Sequence, residues 1–348
     1  MMSRHRLSLA AAILLLGAMT MSALEAREGL VKIVVDESSA RFSLYRLVDV
    51  AKDRYEALFF DLDPRTTSMT LSFGGRQYRL GDSSEFRQAV ARTATGVSIE
   101  FRSAFARVTE HLDFARSSGA AIADGIRLSI MMENVSQKEA SVGLRFLVDT
   151  SLAEKSGIHF RLPGLEKMSN ETVFEGASIP DWVETPGDTA SFMIQFTGDG
   201  IVTPDRVHFA NWKRLNEAPW ILESSSARNF TLLPYSINDS AVAIYWLPKV
   251  LAPGASSSVA LALGAFNDKG YPISQGGDKG TDELFSKTVL TQPANADKKS
   301  LMEADLLSVR DLLTRIDLVL SSGSQPTADE IAAWKKILDL LEERKKGY

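Results

Sequence analysis

The chain has 348 residues, of which 45% are hydrophobic and 24% charged, with a formal net charge of -5. That is the composition of a globular protein with one large core or two ordinary ones, and it excludes a disordered or collagen-like chain. The absence of cysteine excludes disulfide staples and a Cys nucleophile, and the acidic balance argues against nucleic acid as a partner.

Residues 1–26 read as a secretory leader. Arg4 and Arg6 form a positive start, an uncharged, mostly apolar run from Leu7 to Leu24 follows, and Leu24-Glu25-Ala26 offers cleavage after Ala26. The run is only just long enough to anchor in a membrane, and no basic stop-transfer cluster follows it. The expectation is a periplasmic or secreted bacterial protein whose mature chain carries no transmembrane segment. Asn-x-Ser/Thr sequons at Asn134, Asn170, Asn229 and Asn238 read as chance matches in a chain rich in Ser and Thr.

From residue 27 to 270 the dominant signal is alternation with a period of two. Ile126, Leu128, Ile130 and Met132 share one strand face, as do Val142, Leu144, Phe146 and Val148, then Val242, Ile244 and Trp246, and Val259, Leu261 and Leu263. Gly74-Gly75 between Met69–Phe73 and Arg76–Leu80 predicts a tight hairpin. Asn134–Gln137 predicts another hairpin, Pro253-Gly254 a turn, and Ser84–Arg92 one short helix. Between Ile99 and Phe114 the apolar phase switches from odd to even positions, which predicts one strand with a bulge or bend near Ala106-Arg107. The switch leaves Glu110 on the apolar side, where a buried carboxylate needs a partner such as Arg145. Strands without interleaved helices predict a mainly β fold, a large antiparallel β-sandwich.

Residues 271–298 have linker composition, with Ser274–Gly280 rich in glycine. Residues 299–348 then predict a C-terminal α-helical hairpin. Leu306, Val309, Leu313, Ile316 and Leu320 make one apolar seam, and Ile331, Trp334, Leu338 and Leu341 make the second. Thr327 with Glu330 forms a capping box that starts the second helix. Two helices bury little alone, so this pair must pack on the sandwich, on a second copy or on a partner.

The usual reactive patterns are missing. There is no HExxH, no G-x-S-x-G and no phosphate-binding glycine loop, so no catalytic residue, metal ligand or cofactor is assigned. Asp61-Leu-Asp63 is too short a pattern to specify calcium. Polar residues beside aromatics point instead to ligand binding by Asp149, His159, Asp205, Trp212 and Trp220, because aromatic faces cover sugar C–H surfaces while acids accept hydroxyl protons.

Four motifs carry a resemblance over roughly residues 40–266. They are V-G-x-R-x-L-x-D-T at Val142–Thr150, a Gly-containing loop ending in Phe at Gly157–Phe160, P-D-R-V-x-F-A-N-W at Pro204–Trp212, and D-S-A-V-A-x-x-W at Asp239–Trp246, with the Pro253-Gly254 turn after them. In this order they resemble a group of secreted, mostly uncharacterised bacterial β-sandwich proteins whose architecture is similar to galactose mutarotase. The group's loop after D-T is usually L-G-x-N-D-G. Residues 152–157 read L-A-E-K-S-G, so the Asn-Asp pair on which a metal or ligand role for this loop would rest in the group is missing. Mutarotase chemistry needs a His acid and a Glu base, and no such pair is assigned.

The resulting expectation is a periplasmic, non-enzymatic scaffold or interaction protein of an envelope or surface-appendage assembly, for example a flagellar one. Its docking residues are Leu306, Val309, Leu313, Ile316, Ile331, Trp334, Leu338 and Leu341, and its partners are other envelope proteins or a second copy. One alternative is a glycan-binding protein. The other is a sugar epimerase or hydrolase drawing acid and base from Glu110, Asp149, His159, Asp205 or His208.

Overall fold

The computed structural model describes residues 23–60, 65–120, 122–150, 152, 154, 157–231, 239–272, 298–321 and 325–347, and only the backbone of 166 and 300. The Asp61-Asp63 pair and the glycine-rich segment 274–280 lie outside the described residues.

The strands run in chain order as β1 (Ala23–Glu28), β2 (Val31–Asp36), β3 (Arg41–Asp49), β4 (Arg54–Ala57), β5 (Ser68–Phe73), β6 (Arg76–Arg79), β7 (Arg87–Arg92), β8 (Gly96–Arg102), β9 (Ala106–Ala115), β10 (Gly125–Asn134) and β11 (Ala140–Asp149). They continue as β12 (Phe160–Leu162), β13 (Leu165–Met168), β14 (Thr172–Glu175), β15 (Trp182–Thr185), β16 (Phe192–Gln195), β17 (Arg206–Asn211), β18 (Ser240–Leu251) and β19 (Ser256–Gly264). The helices are α1 (Trp212–Glu217), α2 (Lys298–Ser321) and α3 (Ala328–Lys345).

All pairings between these strands are antiparallel, as alternation without interleaved helices predicts. One sheet has the order β14-β17-β18-β11-β5-β6, a second β13-β12-β15-β16-β19-β10-β9-β8-β7, and a third, smaller one β1-β2-β3-β4. The inward residues of all three meet in one core: Val142, Leu144, Phe146 and Val148 from β11 pack with Ile126, Leu128 and Ile130 from β10 and with Ile33 and Phe42 of the small sheet. Burying each such side chain stabilises the fold by about 1.5–3 kcal/mol. The alternation read from the sequence is therefore the alternation of the core.

Three local expectations change. Ser84–Arg92 is not helical: Arg87–Arg92 is the edge strand β7, with Val90 opposite Ile99, and Phe86 packs in an aromatic cluster with Tyr78 and Phe105. The phase switch is not a defect within one strand: the chain bends back there in a turn between β8 and β9. Ser103 Oγ accepts from the amides of Phe105 (3.3 Å) and Ala106 (2.9 Å), a side-chain-mimicked turn that needs neither Gly nor Pro.

The Asn134–Gln137 segment is not a hairpin either. β10 and β11 belong to different sheets, so the segment crosses between them. Buried Asn134 organises the crossing: its Nδ2 donates to the carbonyls of Lys138 (2.8 Å) and Leu251 (2.9 Å), and its Oδ1 accepts from the Ser136 amide (3.0 Å). The Pro253-Gly254 turn also links the two sheets, and the Gly254 amide donates to the Asn134 carbonyl at 2.8 Å. The sequon at Asn134 thus marks a packed polar side chain, not an accessible one.

At the amino end, β1 begins at Ala23. Ala26, at the expected processing point, is buried and pairs with Ile33. Cleavage after it would remove Leu24 and Ala26 from the edge of the small sheet. The Gly74-Gly75 hairpin forms as expected, with φ of +57° and +82°.

The capping box on α3 also forms, with Glu330 N donating to Thr327 Oγ at 3.2 Å and Thr327 N to Glu330 Oε2 at 2.7 Å. The hairpin docks on its own sandwich through α2. The Gly29 amide donates to buried Asp311 (2.7 Å), Arg310 donates to the Gly29 carbonyl (2.7 Å), and Arg315 pairs with Glu28 at 2.9 Å. Position 29 must be glycine: its φ is +55°, and an added Cβ would lie 2.3 Å from the Ala123 carbonyl oxygen.

Candidate functional site

Several strand ends converge at one edge of the six-stranded sheet. The end of β11 puts Asp149 opposite Ala241, the start of β18 puts Ser240 opposite Asn211, and β5 begins at Ser68 opposite Leu147. On β11 the even residues fill the core, so Arg145, Leu147 and Asp149 face outward, beneath the segment that carries α1.

Asn211 closes this edge. Its Oδ1 accepts from the Lys213 amide (3.0 Å) and caps α1, while its Nδ2 donates to the carbonyls of Phe230 and Asp239, both at 2.9 Å. Trp212 Nε1 donates to the Thr66 carbonyl at 2.9 Å. His159 Nδ1 lies 2.7 Å from Ser240 Oγ, with its ring 5.0 Å from that of Phe230.

Here one carboxylate oxygen from each of Asp149, Glu154 and Asp239 lies within 4.8 Å of the others. Burial, with the nearby Asp239 charge adding to it, pushes the Glu154 carboxyl up to about 7, against the Ser240 amide that favours its ionised form. Burial pushes His159 down, and Lys167 adds to that shift. A carboxyl poised near neutral can give or take a proton, and three carboxylate oxygens this close suit a hard divalent cation.

Of the five residues expected to bind a ligand, Asp149, His159 and Trp212 come to this edge. Asp205 does not, because it precedes the far end of β17, roughly 20 Å away along six strand residues. There its Oδ2 accepts from the Leu247 amide at 2.7 Å. Trp220 lies over the middle of the outer face with its ring 5.8 Å from Tyr245 and its carbonyl accepting from Arg145 at 3.1 Å. Glu154 and Asp239 were missed as ligand groups. Asp239 opens the D-S-A-V-A motif, so a signal for it existed; Glu154 sits in a loop with no local pattern.

The wider acid–base set is scattered. His208 is buried on the outer face, two strands from Leu147, and its Nε2 lies 3.3 Å from buried Glu171, which also pairs with Arg214 of α1. Burial holds His208 down to about 4 despite Glu171. Glu110 faces the core between the sheets, where burial alone pushes it up to about 8. Its expected partner Arg145 belongs to the other sheet and faces away from the core. There Arg145 donates to the carbonyls of Ala218 (2.9 Å) and Trp220 (3.1 Å), fastening the end of α1.

The helical hairpin offers a second candidate. Trp334, Ile337 and Leu341 of α3 are buried against Leu312, with Val309, Ile316 and Val319 packed beside them. So Val309, Ile316, Trp334 and Leu341, expected to meet a partner, hold the hairpin together. The other expected residues, Leu306, Leu313, Ile331 and Leu338, are exposed, with Met302 and Leu320, at 42–62% of their full surface. At 100° per residue this exposed stripe lies roughly 75° round from the pairing stripe, in the same sense on both helices. Because α2 and α3 run antiparallel, both stripes open on one face, on the side away from the α2 residues that touch the sandwich. Among the described residues, no helix is long and apolar enough to cross a membrane.

No family model and no curated protein matches the chain. Its neighbours among solved structures include galactose mutarotase-like and aldose epimerase-like proteins. A galactose mutarotase related enzyme from Lactobacillus acidophilus is 10% identical, with a TM-score of 0.42 over 73% of this chain and 100% of that one. A galactose mutarotase-like protein from Lactobacillus casei is 10% identical, with a TM-score of 0.40 over 70% and 100%. An aldose epimerase homologue from C. elegans is 9% identical, with a TM-score of 0.40 over 71% and 99%. These likenesses concern architecture, and no residue role is carried over from them.

Proposed function

We propose that this chain is an exported adaptor, with the β-sandwich as scaffold and the C-terminal hairpin as its docking element. The observation that carries the reading is the outward face of α2 and α3. Six exposed apolar side chains lie together there, while the opposite side of α2 is fixed to the sandwich by Asp311, Arg310 and Arg315. A contiguous apolar face on a rigidly held element is the physical signature of a contact surface. Deleting the hairpin would also strip Glu28 and Gly29 of their partners, so point changes test the idea more cleanly. A photo-crosslinking residue at Leu313, in cells, is expected to give a discrete protein adduct. The same residue at exposed Arg76 is expected to give none. Equal yields at the two positions end the reading.

A second reading is favoured by the Asp149, Glu154 and Asp239 cluster beside His159: the edge of the sheet as a carbohydrate-binding site, with Trp212 alongside. Calorimetry against envelope saccharides is expected to show binding that Asp149→Asn weakens at least tenfold and that changes across pH 6–8 as Glu154 titrates near 7. Heats that are absent, or identical in wild type and variant, remove it.

A further inference from the structure

The apolar face of the hairpin has a shape that specifies what covers it. Leu306, Leu313 and Leu320 recur every seven residues on α2, and Ile331 and Leu338 do so on α3. This is the period of a seam between supercoiled helices. Each helix therefore carries a stripe wider than its own hairpin partner uses. One half is consumed within the hairpin by Val309, Leu312, Ile316, Trp334, Ile337 and Leu341. The other half faces out, as in two helices taken from a four-helix bundle.

Charge on the rim of that face selects an arrangement. Asp305 pairs with Arg344 at 2.9 Å, which fixes the relative level of the two helices. At that level Glu303 of α2 is beside Lys346 of α3 in height, and Asp317 is within about one turn of Lys335. Helix geometry puts these four on the outer edges of the exposed stripes, the acids on α2 and the lysines on α3; Lys299, which pairs with Glu303 at 3.8 Å, shares the α2 edge and Glu342 the α3 edge. Stacking α2 of one copy on α2 of another, antiparallel, would bring Glu303 level with Asp317, acid on acid. Stacking α2 of one copy over α3 of the next, about a two-fold axis parallel to the helices, sets Glu303 opposite the partner's Lys346 and Asp317 opposite the partner's Lys335, on both edges.

We propose that the occupant of this face is a second copy of the chain, joined two-fold by its hairpin into an antiparallel four-helix bundle, a partner assignment that rests on the adaptor reading above. The symmetric contact is self-complementary: each copy presents the same apolar stripe and the same pattern of acid and base. A homodimer then places the two sandwiches on opposite sides of a four-helix layer, because α2 of each copy is fixed to its own sandwich on the side away from the seam.

Sedimentation equilibrium of the full chain over a wide concentration range is expected to show a dimer. Leu306→Glu with Leu313→Glu is expected to leave a monomer with the same far-UV circular dichroism, because both positions are exposed. Glu303→Lys with Asp317→Lys is expected to weaken the dimer roughly tenfold. Adding Lys335→Glu and Lys346→Glu to the same chain is expected to restore it. A wild-type chain that stays monomeric, or a dimer indifferent to both sets of changes, overturns the assignment. If the purified chain is monomeric and the Leu313 crosslink joins it to a different protein, self-pairing fails while the adaptor reading stands. If neither a dimer nor a specific adduct forms, both fall.

Discussion

Replacing Glu110 by glutamine is expected to stabilise the protein at pH 8 by roughly 3–4 kcal/mol and to change it little at pH 5. The carboxyl lies between the sheets, 2% exposed, and has no ion-pair partner among the described residues. Arg41, which lines the same small hollow, is held by Asp82 at 2.6 Å. In the unfolded chain Glu110 ionises near 4.5, whereas in the fold burial delays ionisation to about 8. Between those values the folded state keeps a proton that the unfolded state gives up. This contribution to stability is therefore complete below pH 4.5 and is lost as the pH rises to about 8. Glutamine keeps the shape and cannot ionise, so the variant's stability lacks that slope. Urea denaturation of both proteins across pH 5–8 reads the difference directly, and parallel curves would refute a neutral buried carboxyl.

Replacing Arg145 by methionine is expected to cost about 2 kcal/mol, because it leaves the buried Ala218 carbonyl without its donor and leaves the Trp220 carbonyl with the Tyr245 hydroxyl alone. The methylene stem is retained, so the loss is polar and not a cavity. The end of α1 and Trp220 lose their fastening to the sheet, and the change should be visible as a red shift in tryptophan emission before global unfolding. Combining Arg145→Met with Glu110→Gln separates this arrangement from a direct ion pair. The two residues face opposite sides of different sheets, so their effects should add within about 0.5 kcal/mol. A large coupling energy would mean that they interact after all.

The two residues show how far the sequence could be read. Glu110 was identifiable as buried from its neighbours Val108 and Leu112 alone, because alternation is a property of a few consecutive residues. Its partner was not identifiable. Arg145 also interrupts an apolar strand, and pairing the two was reasonable, but side-chain alternation says nothing about which sheet a strand joins. The same limit explains Asn134. Its turn-forming character was plain, yet whether a turn returns to the same sheet or crosses to the other depends on what β10 and β11 each find to pair with. The Ser103 turn was hidden for a different reason: a hydroxyl did the work usually signalled by glycine or proline, so two strands read as one with a defect.

At the candidate ligand edge, Asp149, His159 and Trp212 stood out as polar or aromatic groups at strand ends, whereas Asp205 and Trp220 shared that composition but lie elsewhere. Glu154 joins only because the fold brings its carboxyl to the Ser240 amide at the start of β18. In the hairpin, the apolar positions of both helices were legible from their spacing. Which of them face each other and which face outward was not, because a stripe on one helix is divided only when the second helix takes its place beside it.

The amino-acid order by itself determined a mainly β chain with inward faces at known positions, two terminal helices with a formed cap, and a carboxyl stranded among apolar neighbours. These follow from backbone geometry and burial, which act over a few residues. Tertiary structure alone decided the pairing of strands into three sheets, the meeting of Asp149, Glu154 and Asp239, the fastening of α1 by Arg145, and the half of the hairpin left uncovered. Each of those depends on groups far apart in the chain, whose approach is set by how the whole core closes.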